Sequence, residues 1–357
     1  MRYALIGCGR IAANHIRAAA QNKLETAAVC DILPERMESL LARCGLGESS
    51  SVGRYTDFET MLEREKPQLA AVATESGLHA EIALLCLEAG ANVIIEKPMA
   101  MSMADADRII AKSEEKGLKV CVCHQNRFNT AVRKLRRAVE DERFGTLSHG
   151  AINIRWSRDK DYYDQAPWRG KWSQDGGCLM NQCIHGIDLL RWMMGGEVLE
   201  VYGQTRRRLH GYLEAEDVGA AVVMFKNGAV GTIEGTTNVY PGNLEETLCI
   251  FGERGTVRLG GKSCNRVEVW DFADETISDV GCSGFIEETK DVYGNGHISL
   301  YADMIDAIKN GREPYVGAQA GKSALELVLA IYKSQKEGGP VKLPLDGFSC
   351  ADMEGVF

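Results

Sequence analysis

A short apolar run that leads into a glycine-rich hexapeptide constrains the fold more than any other feature of this chain. Residues 3–6 (YALI) have the pattern of a buried strand, residues 7–12 (GCGRIA) follow at once, and a helical pattern comes next. In such a strand–turn–helix unit Gly7 permits the sharp turn, Gly9 lets a ligand approach the backbone, and Ala12 lets the helix pack closely on the sheet. Free N–H groups at the helix start favour an anion. The motif predicts a dinucleotide site formed by Gly7, Gly9, Arg10 and Ile11.

A carboxylate one βαβ unit later indicates which dinucleotide binds. Asp31 ends a second apolar run, close to the spacing of about 20 residues at which an acid bonds the ribose hydroxyls of NAD. A carboxylate there would repel the 2′-phosphate of NADP, and residues 32–34 (ILP) bring no arginine, although Arg36 lies nearby. The sequence therefore favours NAD over NADP. Asp31 also suits the N-cap of a helix that starts near Pro34, and the two roles are compatible.

Composition is typical of a globular protein from a reducing compartment. The chain has 357 residues, of which 45% are hydrophobic, and about 150 residues per domain suggests two domains. The twelve cysteines are scattered without a C-x-x-C pair, which favours reduced, buried thiols. No signal-peptide pattern precedes Tyr3 and no apolar stretch reaches about 18 residues, so we expect a cytoplasmic protein without a membrane span. A net charge of −9 argues against nucleic acid as a partner.

The pattern of elements predicts an α/β fold with two domains. Alternating strand and helix patterns in the first third indicate a parallel sheet with helices on both faces. After residue 125, long β-rich stretches indicate a large, mostly antiparallel sheet with helices on one face. We expect an N-terminal Rossmann dinucleotide-binding domain (1–124) and a C-terminal α+β domain (125–357) for substrate binding and oligomerisation, with a C-terminal helix that can pack back on the first domain. A free sheet face predicts a homodimer or homotetramer.

The predicted strands of the first domain lie at 2–7, 26–31, 69–73, 92–95 and 119–123, and its helices at 10–21, 34–44, 57–65, 78–89 and 102–116. The predicted strands of the second domain lie at 147–158, 197–209, 217–225, 229–238, 244–251, 255–259 and 266–272. Its helices are predicted at 130–142, 178–194, 297–310 and 318–336.

Polar residues just after each strand of the first domain are candidate site residues, because ligands bind beyond the carboxyl ends of such strands. Lys97 follows the strand at 92–95, where a lysine can stabilise a substrate alkoxide before hydride loss. Glu96 can pair with it, and Pro98 is a candidate for a cis peptide bond. The alternative is a surface turn with a solvated lysine. The candidate cofactor-binding residues at this edge are Thr74, His79, Glu96, Lys97 and Gln125.

The helix predicted at 178–194 carries a histidine between two polar residues. Asn181, His185 and Asp188 stand at i, i+4 and i+7 and would share one face of an α-helix. Histidine suits proton transfer near neutrality, and polar groups one turn away could orient it. A structural hydrogen-bonding histidine is the alternative, and Asp188 could instead anchor the second domain to the first. No metal-ligand spacing surrounds His185, so no metal is predicted.

Together these motifs resemble the Gfo/Idh/MocA oxidoreductases over nearly the whole chain. The resemblance is carried by residues 7–12, Ala73-Thr74 with Leu78-His79, Glu96-Lys97-Pro98, Gly176-Gly177 with His185 and Ile187-Asp188, and the helix at 324–332. It implies NAD(P) as the cofactor and a catalytic pair formed by Lys97 and His185.

The middle of the chain is similar to one branch of that family, the UDP-N-acetylglucosamine-uronate 3-dehydrogenases of the WlbA and WbpB type. The similarity lies at 125–129 (QNRFN), 162–163, 168–170 and 179–185. It implies hydride transfer between a sugar or nucleotide-sugar hydroxyl carbon and NAD, and at its finest the 3-oxidation of a UDP-N-acetyl-hexuronate. Asn181 stands where inositol dehydrogenases carry an aspartate, and Glu75 departs from the usual Thr-Pro-x. The alternatives are a dehydrogenase of a free sugar or inositol, an NAD-using glycosidase, and a non-catalytic sugar or NAD sensor.

The resemblance and the motifs assign roles to individual side chains. The substrate hydroxyl is expected between Lys97 and His185, one of which removes its proton as hydride leaves the same carbon. Trp168 could stack on a ring and Arg169 could contact phosphates, or both belong to a packed loop. The predicted substrate-binding residues are Lys97, Arg127, Tyr163, Asn181 and His185, and Trp168 and Arg169 complete the cofactor-binding set. The candidate residues for binding the negative charge of an anionic substrate are Arg155, Arg158, Lys160, Lys171 and residues 206–208.

Overall fold

Two compact units make up the computed structural model, which describes residues 1–47, 51–274, 279–288 and 295–357. The first unit joins Met1–Cys123 to His297–Lys322, and the second joins His124–Gly296 to Ser323–Phe357. One unit contains a parallel sheet and the other a mostly antiparallel sheet, so the predicted α/β fold class is confirmed. The domain boundary at residue 124 stays a prediction.

Six parallel strands form the sheet of the first unit: β1 (Arg2–Ile6), β2 (Glu25–Cys30), β3 (Gly53–Tyr55), β4 (Leu69–Val72), β5 (Asn92–Ile95) and β6 (Val120–Val122). Their order is β3-β2-β1-β4-β5-β6. Every residue of β4, β5 and β6 is buried, as expected where helices cover both faces of a sheet. The order reverses between β1 and β4, and ligands of such sheets bind at the carboxyl ends of the strands beside that point.

Among the described residues, five α-helices connect these strands: α1 (Ala12–Gln21), α2 (Pro34–Arg43), α3 (Phe58–Glu65), α4 (His79–Glu88) and α5 (Met103–Lys116). Side chains cap two of them. Asp57 accepts the Thr60 backbone N–H at the start of α3, and Ser102 accepts the Asp105 N–H at the start of α5. Gly117 ends α5 with φ +64°, a left-handed conformation that glycine adopts without strain.

The second unit is built on an eight-stranded sheet. Its strands are β7 (Leu147–Arg155), β8 (Val198–Arg206), β9 (Val218–Phe225), β10 (Val230–Thr236), β11 (Glu245–Gly252), β12 (Gly255–Gly260), β13 (Arg266–Phe272) and β14 (Val341–Lys342). They follow the order β13-β12-β11-β7-β10-β9-β8-β14, and among the described pairings only β7 and β10 run parallel. The helix at Ile184–Met193 packs tightly on β7, because a Cβ on Gly186 would come within 2.9 Å of the Ile152 side chain.

The remaining helices follow in chain order: α6 (Thr130–Glu140), α7 (Lys160–Tyr163), α8 (Ile184–Met193), α9 (Gly296–Asn310) and α10 (Ala318–Glu337). Within the described ranges, none of the helices is long and apolar enough to pass through a bilayer. The predicted helices at 297–310 and 318–336 are confirmed to within one residue at each end.

Candidate active site

The glycine loop after β1 has the geometry that a dinucleotide phosphate requires. Gly7 has φ +95°, and a Cβ there would lie 2.4 Å from the Ala73 carbonyl oxygen, so only glycine fits. A Cβ on Gly9 would meet nothing within 4 Å, which leaves open space beside the backbone. Helix α1 begins without a side-chain cap at Ile11. The predicted loop therefore fits an anionic group that takes up the first N–H groups of α1.

Asp31 follows β2 directly and contacts the glycine loop. Its Oδ2 accepts the Cys8 backbone N–H at 2.8 Å, and its Oδ1 accepts the Leu33 N–H at 3.0 Å. The carboxylate is 8% exposed, and an Arg36 guanidinium nitrogen lies 4.0 Å from Oδ1. Two backbone hydrogen bonds fix the carboxylate beside the fingerprint. The N-cap of α2 is Leu33, which has no side-chain cap hydrogen bond, so the capping role predicted for Asp31 was wrong. The contact of Asp31 with the ribose stays a prediction.

His79 links the ends of two neighbouring strands. Its Nδ1 lies 2.8 Å from the Pro98 carbonyl oxygen and its Nε2 lies 3.1 Å from that of Thr74. The ring is fully buried, and burial lowers its pKa although both carbonyls favour the charged form. His79 thus positions the backbone after β4 and β5, and the direct cofactor contact assigned to it and to Thr74 stays a prediction.

Lys97 lies at the carboxyl end of β5, as predicted, and is half-buried. The Lys97–Pro98 peptide bond is cis, so that expectation is confirmed. The backbone N–H of Lys97 donates to Glu96 Oε2 at 3.2 Å, while Oε1 of the same carboxylate lies 3.1 Å from His15 Nε2. Glu96 therefore faces the interior of the first unit, and its contact with cofactor stays a prediction.

The segment predicted as one helix over 178–194 is divided in the structure. Leu179–Cys183 forms a π-helical turn, and α8 begins only at Ile184. A wider turn rotates the residues before it relative to those after it, so Asn181 and His185 do not follow the α-helical i, i+4 spacing. π-Turns are frequent at functional sites. The prediction of one regular helix face was wrong here because a π-turn has no sequence signature.

Each polar residue of that segment has its own partner within the second unit. Asn181 Nδ2 donates to the Asp175 carboxylate, and Gln182 Nε2 donates to Asn181 Oδ1 at 2.7 Å. His185 Nε2 lies 3.5 Å from Gln125 Nε2, and the His185 ring is 9% exposed. The structure thus brings Gln125 and His185 together, two residues that the sequence assigned to cofactor and catalysis separately.

Asp188 forms a buried ion pair with Arg127. Arg127 donates from Nε at 2.7 Å and from Nη2 at 2.5 Å to the two carboxylate oxygens, a bidentate geometry. Both residues are at most 3% exposed. Burial opposes ionisation of Asp188, but the Arg127 guanidinium and the nearby His124 ring hold its pKa below its ordinary range. Asp188 therefore anchors the segment that contains Arg127, and the substrate contact of Arg127 stays a prediction.

A narrow crevice in the second unit brings together two of the predicted substrate-binding residues, Tyr163 and Asn181. It is also lined by Asp175 and Glu216, which sequence reasoning missed because they carry no recognisable motif. Glu216 is fully buried, and its Oε1 accepts the Leu179 N–H and the Tyr332 hydroxyl, both at 2.8 Å. Burial raises the pKa of Glu216 to about 8, although these two donors oppose the rise. The crevice therefore carries a proton-holding group next to the π-turn.

The loop that contains Trp168 and Arg169 forms an aromatic cluster with Tyr162. The Arg169 guanidinium stacks 4.4 Å from the Tyr162 ring centroid and 4.6 Å from that of Trp168, and it donates to the Tyr162 hydroxyl at 2.6 Å. Tyr162 also accepts from Gln182 Nε2 at 2.8 Å. These contacts are those of a packed loop, the alternative that the sequence offered for Trp168 and Arg169. The cofactor contacts of both residues stay predictions.

Two of the arginines that are candidates for binding an anionic substrate differ in their surroundings. Arg155 is bound by Glu234 and Glu245, which meet its positive charge. Arg158 donates to Gln182 Oε1 at 2.9 Å and forms no ion pair among those recorded for the described residues. Arg158 is therefore the better of the two for contact with an anion beside the π-turn.

Comparison with known proteins identifies the family. Residues 1–124 match the model of the oxidoreductase family with an NAD-binding Rossmann fold, and residues 132–258 match the GFO/IDH/MocA C-terminal domain. The WlbA dehydrogenase from Bordetella pertussis, crystallised with NADH and UDP-GlcNAcA, is 37% identical, with 97% of this chain and 98% of that chain covered at a TM-score of 0.88.

Two further relatives support the same assignment. The WlbA dehydrogenase from Chromobacterium violaceum, also crystallised with NADH and UDP-GlcNAcA, is 35% identical over 97% of this chain and 96% of that chain, at a TM-score of 0.88. Myo-inositol 2-dehydrogenase from Thermotoga maritima is 28% identical over 96% of this chain and 98% of that protein. This chain belongs to the Gfo/Idh/MocA family and is an NAD-binding oxidoreductase.

Proposed function

We propose that this enzyme oxidises a sugar hydroxyl carbon of a UDP-N-acetyl-hexuronate, at C3, with NAD as the hydride acceptor. The observation that carries the proposal is the 37% identity, over essentially the full length of both chains, to a dehydrogenase crystallised with NADH and UDP-GlcNAcA. NAD, when bound, supplies the carbon that takes the hydride. The residues that would hold it are the glycine loop at 7–12 and Asp31, whose geometry fits a dinucleotide.

We assign the proton chemistry to Lys97 and His185. Lys97 carries a positive charge that stabilises the alkoxide formed when the hydroxyl loses its proton. His185 takes that proton on its ring, and the side-chain amide of Gln125 lies beside the ring, with its Nε2 3.5 Å from His185 Nε2. Asn181 and Tyr163, which line one crevice in the second unit, bond neighbouring sugar groups. Arg158 meets the negative charge of the uronate or the diphosphate.

Oxidation of a free inositol is the second candidate function. It is favoured by the 28% identity to myo-inositol 2-dehydrogenase over nearly the whole chain. Against it, Asn181 stands where the inositol dehydrogenases carry an aspartate, and this residue bonds Asp175 and Gln182 instead of presenting a carboxylate. A free inositol also has no negatively charged group that Arg158 could bind.

The open face of the eight-stranded sheet supports the proposal that copies of this chain associate there. Along β8 and β9, Leu199, Tyr202, Val222 and Met224 are 49%, 45%, 44% and 37% exposed. Tyr202 and Val222 pair directly across the two strands, so the exposed apolar side chains adjoin. Such a patch is typical of a subunit interface. All twelve cysteines are free, which supports a cytoplasmic place of action.

The test is turnover of UDP-GlcNAcA and of myo-inositol with NAD, followed as NADH absorbance. Each assay is repeated with 2-oxoglutarate as acceptor, because NADH that stays bound to the enzyme would otherwise stop turnover. We expect turnover of UDP-GlcNAcA and none of inositol. The reverse result contradicts the substrate, and release of free aglycone without net NADH identifies a glycosidase instead.

Variants test the catalytic pair. K97A and H185Q should each lower turnover by about 100- to 10,000-fold, the range for a positioned acid or base, while NAD binding remains. The matched controls are K116A, whose Nζ bonds Glu88 on the surface, and H149Q, whose ring stacks on Phe251. Full turnover by K97A would rule out its assigned role.

A further inference from the structure

Four metal-binding side chains from distant parts of the sequence converge inside the first unit. They are His15 on α1, Glu96 after β5, Cys123 after β6 and His297 on α9, and one ligand atom of each lies within 4.8 Å of all the others. The four residues are 0%, 8%, 0% and 4% exposed. A cluster this deeply buried is unlike the exposed acidic groups that are common on protein surfaces.

Two separations within the cluster are close to those of a tetrahedral site. Zinc binds nitrogen, oxygen and sulfur at about 2.0–2.3 Å, so neighbouring ligand atoms of a tetrahedron lie about 3.3–3.8 Å apart. Here the His15 and His297 Nε2 atoms lie 3.1 and 3.5 Å from Glu96 Oε1. Two imidazoles, a carboxylate and a thiol are all ordinary zinc ligands.

The charges of the cluster also match a divalent cation. A buried carboxylate is unfavourable unless a positive charge meets it. One carboxylate and one thiolate neutralise a divalent ion, while the two imidazoles bind it in their neutral form. The complete site would therefore carry no net charge in the interior. Without an ion, Glu96 and two neutral imidazoles would leave one buried negative charge, even with hydrogen bonds between them.

Outer contacts orient the ligands as metal sites require. His15 Nδ1 lies 2.7 Å from the Tyr301 hydroxyl, which in turn lies 2.9 Å from the Tyr3 hydroxyl. Metal-binding histidines commonly use their second ring nitrogen in this way, which fixes the ring. Glu96 Oε2 accepts the Lys97 backbone N–H and leaves Oε1 toward the two imidazoles.

We propose that His15, Glu96, Cys123 and His297 bind one divalent cation of the zinc class in a closed, structural site. Four protein ligands fill a tetrahedron and leave no position for substrate, so the ion does not take part in hydride transfer. It fastens α1, α9 and the ends of β5 and β6 to one another. Because Glu96 precedes Lys97 in the chain, the ion fixes the backbone from which Lys97 projects.

The experiment supplies the metal while the chain is being made, because the ligands are inaccessible in the folded unit. The enzyme is produced in medium supplemented with Zn²⁺ or with Co²⁺, desalted in the presence of a weak chelator, and analysed by mass spectrometry for metal per chain. We expect one equivalent in the wild type and, with cobalt, a thiolate-to-cobalt charge-transfer band. C123S should abolish the band and lower zinc affinity by more than about 100-fold, since even outer-shell partners are worth about 10- to 100-fold.

The matched control is C86S, which removes an equally buried thiol of the same unit outside the cluster. It should keep the full metal content and the cobalt band. H297Q is the second ligand variant, and circular dichroism checks that each variant is folded. A wild-type chain that holds no more metal than C123S overturns the proposal, and so does a cobalt band that survives C123S. K97A should retain its metal, so this result does not depend on the proposed function.

Discussion

The ionisation of Glu216 should make the stability of the second unit fall as pH rises. Burial raises the pKa of this carboxyl from 4.5 to about 8, although hydrogen bonds from Leu179 and Tyr332 oppose the rise. At a pH between these two pKa values, the carboxyl group has released its proton in the unfolded chain and still holds it in the folded chain. Stability from this group is therefore complete below about pH 4.5 and is lost as pH rises toward 8.

The size of the effect follows from the shift in pKa. One bound proton changes the free energy of unfolding by about 1.4 kcal/mol per pH unit, and the full shift corresponds to about 5 kcal/mol. Glu246 is buried in the same unit, and burial alone raises its pKa to about 8 as well. The two carboxyls together predict a slope of about −2.7 kcal/mol per pH unit from these groups.

The assay is urea unfolding at several pH values between about pH 5 and 8, where both groups contribute. E216Q, which keeps a carbonyl oxygen for Leu179 and Tyr332, should remove half of the slope that comes from the two carboxyls. E216Q/E246Q should remove all of that part of the slope. E214Q, a change at an exposed glutamate two residues away, controls for the loss of one carboxyl group. Parallel curves for E216Q and the wild type would show that Glu216 is ionised in the folded chain and that the reasoning is wrong.

Further predictions concern the buried ion pair and the glycine loop. R127M leaves the Asp188 carboxylate buried without its bidentate partner and should lower the free energy of unfolding by about 3–5 kcal/mol in urea, whereas R127M/D188L should recover most of that loss; equal losses would contradict the pairing. G7A forces a Cβ to 2.4 Å from the Ala73 oxygen and should lower the melting temperature. The fold has room for the added methyl group of G9A, so this variant should keep the melting temperature and weaken NAD binding measured by calorimetry. Unchanged NAD binding would show that the phosphates do not bind at this loop.

Most strands could be predicted from the sequence because each is a short apolar run ended by a turn signal. The run predicted at 92–95 coincides with β5, and the seven strands predicted between 147 and 272 all occur. β3 was missed because its three residues are half-buried at the sheet edge and show no apolar pattern. Local patterns therefore predict the strands that form the core, and edge strands depend on their neighbours.

The site was harder to predict because its geometry depends on residues far apart in sequence. The π-turn at 179–183 changes the spacing between Asn181 and His185, and Asp188 bonds Arg127, a residue at the start of the second unit. The expectation of no metal rested on the spacing around His185, whereas the four residues that we propose as metal ligands come from positions 15, 96, 123 and 297. Only the fold brings such residues within bonding distance.

The contact between Tyr3 and Tyr301 has a consequence for synthesis on the ribosome. The two hydroxyls lie 2.9 Å apart, and His15 bonds the same Tyr301 hydroxyl at 2.7 Å. The Tyr3 hydroxyl and the His15 ring therefore lack this hydrogen-bond partner until translation has passed residue 301, after β7 to β13 have been made. A chain released before residue 301 cannot complete the first unit, which includes residues 297–322, so the dinucleotide-binding unit is finished only after β7 to β13 have been made.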